Sequence, residues 1–486
     1  MHPSVDVIVV GLGPTGAVLT HLLARAGLSV AVFERDPEVY PKPRAVFFDD
    51  EIMRLLDGLG LGLELAEVTS PVQGMDLVNA AGDVLYRYRP ESACSELGFA
   101  EGYMFTQPDL ERLLRDGLVQ LPGPTAEPPL LLLGTEVTSI EARPTSSAAT
   151  VTTPHPEAPA RSRLPWGDYR VHARGLDGRE IVVQAPFIVG CDGARSFVRE
   201  HMGVPLESLG PDAEWLVVDL QLEPGVPAWL DLPGVTVQYC DPARPATFVP
   251  LPQDRCRFEI RVLPDDDRNQ LVRLEPLRAL LRTWLPSDDY EVERAVVYTF
   301  HALLAERWRD GGLLLAGDAA HQMPPFLGQG MCSGIRDAAN LAWKLAWVLR
   351  GRASLELLDT YESERSAHTR RIIEVDLELG DLIQTTDPQL AAVRDERARA
   401  EGGAVPISPP RIPIGPGAHT GEAPSGLPVP AFAAAPVTSA PCAAEHAAEA
   451  PLATASSVEA GPAVDELLLI HASDFVPNLV ALRTPG

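Results

Sequence analysis

Three short stretches of the chain place glycines and carboxylates in patterns that could hold a phosphate- and ribose-bearing molecule. The first is Gly11-Leu12-Gly13-Pro14-Thr15-Gly16, which follows an apolar run and opens a helical pattern. A first glycine permits a tight turn, a second lets the backbone approach a pyrophosphate, and a third allows close helix–strand packing. The anion then meets the positive end of the helix. Alone, the triplet fits any tight turn. Glu34 adds to it, because a carboxylate roughly twenty residues on, at the end of the next strand, accepts hydrogen bonds from ribose hydroxyls.

The second stretch, Gly312 to His321, is an apolar run ending at Gly317-Asp318, followed by Met323-Pro324-Pro325 and Gly328-Gln329-Gly330-Met331. It offers a second helix N-terminus beside a carboxylate. Such an arrangement suits a flavin, whose ring gains negative charge on reduction and is stabilised by helix amides. The plainer reading is a strand–loop–helix crossover that Asp318 merely caps. The third stretch, Phe187 to Ser196, is a strand entering an Asp192-Gly193 turn, with a helix beginning near Phe197.

These motifs need a scaffold. Val5–Val10, Ala17–Ala26 and Ser29–Phe33 read as strand, helix and strand, the opening of a doubly wound α/β domain. Phe187–Gly190 and Leu313–Ala316 read as further strands of that domain, supplied by distant parts of the chain. Between them Arg255–Val262 alternates polar and apolar residues, as a half-exposed antiparallel strand does. Trp215–Leu222, Val235–Cys240 and Ala246–Leu251 are strand-like neighbours. From about Gly402 the chain is rich in Ala, Pro, Ser and Gly, a composition that cannot offset its ordering entropy and predicts disorder.

Composition narrows the classes further. A length of 486 residues predicts two or three structural units. With 40 basic against 67 acidic residues the net charge is −27, which disfavours nucleic acid and anionic membrane surfaces as partners. The six cysteines lack metal-ligand spacing, so no metal site is expected. The residues after Met1 run almost directly into the first apolar segment, and no stretch is long enough to span a bilayer. The expectation is a cytoplasmic protein.

Taken together, Gly11–Gly16 with Glu34, Asp192-Gly193 with Arg195-Ser196, and Gly317-Asp318 resemble the three fingerprints of the flavoprotein aromatic hydroxylases, the group A monooxygenases of the p-hydroxybenzoate hydroxylase fold. The resemblance runs from about Val5 to Arg371. Pro43-Arg44-Ala45-Val46 with Asp49-Asp50-Glu51, Gln107 to Glu111, and Gly328 through Lys344 look most like the 3-(3-hydroxyphenyl)propionate hydroxylase branch.

The resemblance implies an α/β fold: a Rossmann-like FAD-binding domain in three pieces, 1–70, 100–200 and 295–375, with an inserted, mainly antiparallel substrate sheet from 71–99 and 201–294. A helical extension would occupy 376–401 and a largely disordered tail 402–486. It implies FAD as cofactor, held by Gly11, Gly13, Pro14, Thr15, Gly16, Glu34, Arg35, Arg44, Gln107, Val137, Asp192, Asp318, Gly330, Met331 and Cys332, the last two through backbone amides. NADPH or NADH would be a transient co-substrate, since no second glycine fingerprint provides a separate domain for it. The implied reaction inserts one oxygen atom of O2 into a phenolic substrate through a flavin C4a-hydroperoxide, and a homodimer is left open.

A phenol becomes far more nucleophilic once its proton is lost, so a base or relay is expected. Tyr239, with Gln238 beside it, and His301 are the candidates, and Pro324 stiffens the expected lip at the reactive face. Sheet packing for Tyr239 and a surface role for His301 are the bland alternatives. The rival functions are the same flavin chemistry on a polyketide-like substrate, by hydroxylation, epoxidation or Baeyer–Villiger insertion, and a non-catalytic flavin-binding protein.

Overall fold

The computed structural model describes residues 3–42, 44–121, 128–142, 164, 167–223, 232–407 and 412. Pro43 and the tail from residue 413 on, where disorder was expected, lie outside the described residues. The centre of the molecule is a six-stranded sheet in the order Arg309–Asp310, Leu313–Leu315, Phe187–Gly190, Val7–Val10, Val30–Glu34 and Leu130–Leu133. All its pairings are parallel except that of the Arg309–Asp310 edge. Val7–Val10 and Phe187–Gly190 are buried along their whole length. That is why they are unbroken apolar runs instead of alternating ones.

The helix Pro14–Arg25 follows the first strand. Proline suits its first position, because an N–H there would have no intrahelical acceptor. This helix packs on the 20-residue helix Gly330–Leu349, whose start lies three residues earlier than the apolar pattern alone suggests. A small antiparallel sheet of Thr135–Ala142, Tyr169–Gly175 and Glu180–Ala185 flanks the core.

A second sheet has eight strands, in the order Tyr290–Phe300, Ala213–Leu222, Arg255–Arg261, Ala246–Leu251, Thr236–Tyr239, Met75–Val78, Val84–Tyr88 and Val405–Pro406. Two of its pairings, Met75–Val78 with Thr236–Tyr239 and Val405–Pro406 with Val84–Tyr88, are parallel. One face carries Val218, Val237, Phe248 and Phe258 and is covered by Leu277 and Leu281 of the helix Leu274–Leu281.

Three sequence expectations change here. Arg255–Arg261 alternates as expected, but Arg257 is buried, so its polar side faces an internal space and not bulk solvent. The boundary placed between 375 and 376 falls inside the single helix Asp359–Gln384. The segment expected to be disordered from 402 begins with Val405–Pro406, whose pairing supplies the backbone hydrogen bonds a loop would lack. No described helix is long and apolar enough to cross a membrane.

Candidate active site

The first strand ends at Gly11, where the chain turns with φ +97°, a region that favours glycine. A Cβ on Gly11 would strike the Cys191 carbonyl of the neighbouring strand, and one on Gly16 would strike the Gly11 carbonyl. Gly13 is different: a Cβ there would meet nothing within 4 Å, so its bare backbone faces open space. The first intrahelical bond runs from Ala17 N to Gly13 O at 2.9 Å, leaving the Thr15 and Gly16 amides ahead of it. Glu34 fastens this turn, its Oε2 accepting from Leu12 N at 2.7 Å and its Oε1 from Asp36 N at 2.9 Å.

Two other strand ends converge on the same space. Asp192 accepts from Val198 N at 3.1 Å through Oδ2, while its buried Oδ1 has no hydrogen-bond partner among the described residues. Burial pushes this carboxyl up from its ordinary value, against the hydrogen bonds that oppose the shift. Asp318 is exposed to the cavity yet surrounded by protein, and the same desolvation raises it, with His321 and Arg44 pulling the other way.

The Gly317-Asp318 turn hangs on the buried Asp337. That carboxylate accepts from Gly317 N at 3.0 Å and Arg365 Nε at 2.8 Å, and lies 2.7 Å from His321 Nε2. Burial opposes its charge, but His321 and Arg365 hold it below the ordinary carboxylate value. His321 therefore supports the turn.

A cavity of about 2300 Å³ joins these elements. Its lining includes Gly11, Gly13, Glu34, Asp192 and Asp318 on the crevice side, the loop Met323–Leu327, and the polar face of the second sheet. At the start of Gly330–Leu349 the amides of Gly330, Met331 and Cys332 precede the first intrahelical bond, Ser333 N to Gln329 O at 2.8 Å. Gln107 ties the neighbouring loop, its Oε1 accepting from Ala45 N at 2.7 Å and its Nε2 donating to Glu111 at 2.6 Å. Bare backbone at Gly13, two helix N-termini and an unpartnered buried Asp192 oxygen form a cradle that fits a dinucleotide bearing a flavin ring.

Residues 4–376 match the family model described as FAD binding domain. The chain belongs to the flavoprotein aromatic hydroxylases. It is 39% identical over 392 residues to a probable NADH-specific resorcinol 4-hydroxylase of Rhodococcus jostii, covering 81% of this chain and 68% of that one. To a 3-(3-hydroxy-phenyl)propionate/3-hydroxycinnamic acid hydroxylase of Burkholderia vietnamiensis it is 35% identical, covering 80% and 65%. The chain thus spans about two thirds of the length of these curated relatives. Among solved structures it is similar to aklavinone-11 hydroxylase with FAD and aklavinone, at 27% identity and a TM-score of 0.66 over 81% of this chain and 71% of that one. The p-nitrophenol 4-monooxygenase of Pseudomonas putida shares the fold at 22% identity and a TM-score of 0.69, over 82% and 94%.

In this flavoprotein most of the expected site residues come together. Pro14, Thr15, Arg35, Arg44, Val137, Gly330 and Met331 line the cavity, as do Gln107 and Pro324. Cys332 does not line it: its side chain is buried beneath the helix start, with Sγ 3.8 Å from the Gly328 carbonyl. Contrary to expectation, Tyr239 faces away from the cavity. Its neighbours Thr236 and Gln238 face the cavity, so the period-2 alternation turns Tyr239 to the other face, where its ring packs 5.8 Å from Trp284. His301 reaches the cavity, but at its exposed rim, with Nδ1 2.7 Å from Asp212.

Sequence reasoning missed two clusters of this flavoprotein. Arg336 donates to Glu51 at 2.7 Å, to Asp49 at 2.5 Å and to Gln329 at 2.8 Å, tying the long helix to the segment Phe47–Gly58. On the sheet, Asp219 lies between Arg257, at 2.7 Å, and Arg294, at 3.5 Å, with Glu259 3.6 Å from Arg257. Nothing local marks such pairs, which are 287 and 38 residues apart in the chain. The alternation of Arg255–Val262 is the one local signal, and by itself it fits a strand facing solvent equally well.

Proposed function

We propose that the chain is an NAD(P)H-consuming monooxygenase that adds one oxygen atom of O2 to a phenolic ring. The observation that carries this reading is the continuity of one cavity between the glycine-lined crevice and the polar sheet face. A ring held against that sheet would lie beside the cofactor and away from bulk water. Bound FAD would supply the redox chemistry, accepting hydride from NADH or NADPH and activating O2. NADH is the donor to try first, since the Rhodococcus relative is named for it.

The chain's own residues have three tasks. Gly13, Thr15 and Gly16 would receive the pyrophosphate, Glu34 the adenosine ribose, and Arg44, Gln107, Asp192 and Asp318 the remaining polar parts. The amides of Gly330–Cys332 would face the ring's pyrimidine edge, where charge develops. Pro324 and its neighbours would close the reactive side, keeping water from the activated oxygen. In this reading 1–70, 100–200 and most of 295–375 hold FAD, while 71–99 and 201–294, with the remainder of the strand Tyr290–Phe300, form the inserted sheet that holds substrate.

Purified FAD-loaded protein, assayed for NADH and NADPH oxidation against a panel of phenols with product masses, tests the proposal. Stimulated oxidation with one added oxygen atom supports it, and FAD-bound protein inert to every phenol overturns it. A larger, polyketide-like substrate is the second reading. The similarity to aklavinone-11 hydroxylase, solved with FAD and aklavinone, favours it.

A further inference from the structure

Resting on that reading, we infer that Glu259 is the base that receives the phenolic proton of the substrate. The inference starts from strand register. Glu259 pairs with Thr247 on one side and Val217 on the other, and Thr247 pairs with Gln238. All four line the cavity, and the Thr247 hydroxyl donates to Gln238 Oε1, so one polar row crosses the sheet toward the open space.

This row is bracketed by the elements that border the flavin crevice. Two residues along the strand from Val217, about 7 Å, Trp215 packs its ring 5.7 Å from Phe326 of the Met323–Leu327 loop. On the other side Arg257 donates to the Arg44 carbonyl at 2.7 Å. Glu259 therefore stands between the loop that borders the reactive side and the segment that borders the crevice.

Its rivals are occupied or misplaced. Tyr239 faces the opposite core, and His301 sits at the rim with Asp212. Asp49 and Glu51 are bound by Arg336. Asp219 is 1% exposed, beside both Arg257 and Arg294. Among the described residues of the sheet's strands, Glu259 is the carboxylate that lines the cavity, with Arg257 beside it at 3.6 Å.

Its surroundings suit the task. Arg257 lies 3.6 Å from Glu259 on its own strand, and Asp219 and Arg294 lie on the strands beyond; Thr247 and Gln238 on the other side are uncharged. Desolvation raises the Glu259 carboxyl above its ordinary value, Arg257 and Arg294 oppose the shift, and Asp219 adds to it. A carboxylate so raised is a better base near neutral pH than an ordinary one. In the step, the phenol O–H bond breaks, the proton passes to a Glu259 oxygen, and the electron pair stays on the ring oxygen. No oxidant or reductant is needed.

The test uses the FAD-loaded full chain with two phenols, one of ordinary acidity and one made strongly acidic by fluorine. Wild-type protein should show the phenolate absorption of bound ordinary phenol below that phenol's solution pKa. Glu259→Gln should lose that band and about 100-fold in hydroxylated product. The acidic phenol, which gives up its proton unaided, should restore most of the product. Glu259→Asp should keep the band with a shifted pH midpoint, and it serves if the glutamine variant does not fold. A phenolate band unchanged in Glu259→Gln, an equal loss with both phenols, or an unshifted midpoint in Glu259→Asp overturns the inference. Wild-type protein that hydroxylates no phenol overturns the function reading, a separate result.

Discussion

The cofactor crevice and the sheet face across from it border one cavity but use different parts of the amino acid. In the crevice the working groups are backbone: the bare face of Gly13, the amides after Gly13 and Gln329, and the turn at Gly317. Side chains such as Glu34 and Asp337 serve by holding that backbone in shape. On the sheet the relation reverses. The backbone is a hydrogen-bonded ladder with a register shift between Asp219 and Leu220, and the chemistry lies in Arg257, Asp219, Arg294 and Glu259 projecting from its buried polar side. A surface of backbone groups demands particular residue types at fixed offsets. A surface of side chains demands only that partners meet in space.

The sharpest way to break this contrast is on the sheet. Asp219→Ala leaves Arg257 and Arg294 buried without their shared carboxylate, and breaking such a pair costs about 3–5 kcal/mol. Denaturant unfolding should show that loss; a change within about 0.5 kcal/mol would place Asp219 among surface-like positions.

Next comes a pair in the crevice. Gly11→Ala forces a Cβ onto the Cys191 carbonyl at φ +97° and should cost about 2–4 kcal/mol. Gly13→Ala meets no protein atom, so its unfolding midpoint should hold while FAD affinity falls about tenfold, or about 1.4 kcal/mol. Equal behaviour of the two variants would remove the distinction between a glycine required by the fold and one required by the cofactor.

Between the two regions, Asp376 anchors the Met323–Leu327 loop by accepting from Leu327 N at 2.7 Å, while its other oxygen is buried without a partner among the described residues. Burial pushes this carboxyl well above its ordinary value. The folded state thus binds the extra proton, and stability is greatest below the unfolded value and falls as pH rises toward the folded one. The slope can reach about 1.4 kcal/mol per pH unit. Melting of Asp376→Asn should lose this dependence in the range above pH 4, and an unchanged slope would assign it elsewhere.

The smallest effect is expected at Tyr239. Its ring packs on Trp284 away from the cavity, so Tyr239→Phe should leave turnover and its pH profile unchanged and stability within about 0.5 kcal/mol. A large loss of turnover would return the residue to the site.

Several features of this protein were determined by sequence alone. The strand–glycine turn–helix at Val7–Arg25, the Glu34 carboxylate, the Asp192 and Gly317-Asp318 turns and the FAD-binding family they signal were all legible before any coordinates. They were legible because steric and backbone demands act over a few residues and leave a local mark. Only the tertiary structure decided which face of Thr236–Tyr239 meets the cavity, that Arg257 and Glu259 are enclosed and not solvated, and that Asp49 finds Arg336 from 287 residues away. A one-residue change of facing or register exchanges a strand's two sides while leaving its pattern intact. Charge pairing across such separations is settled by packing, which a linear string of residues does not express.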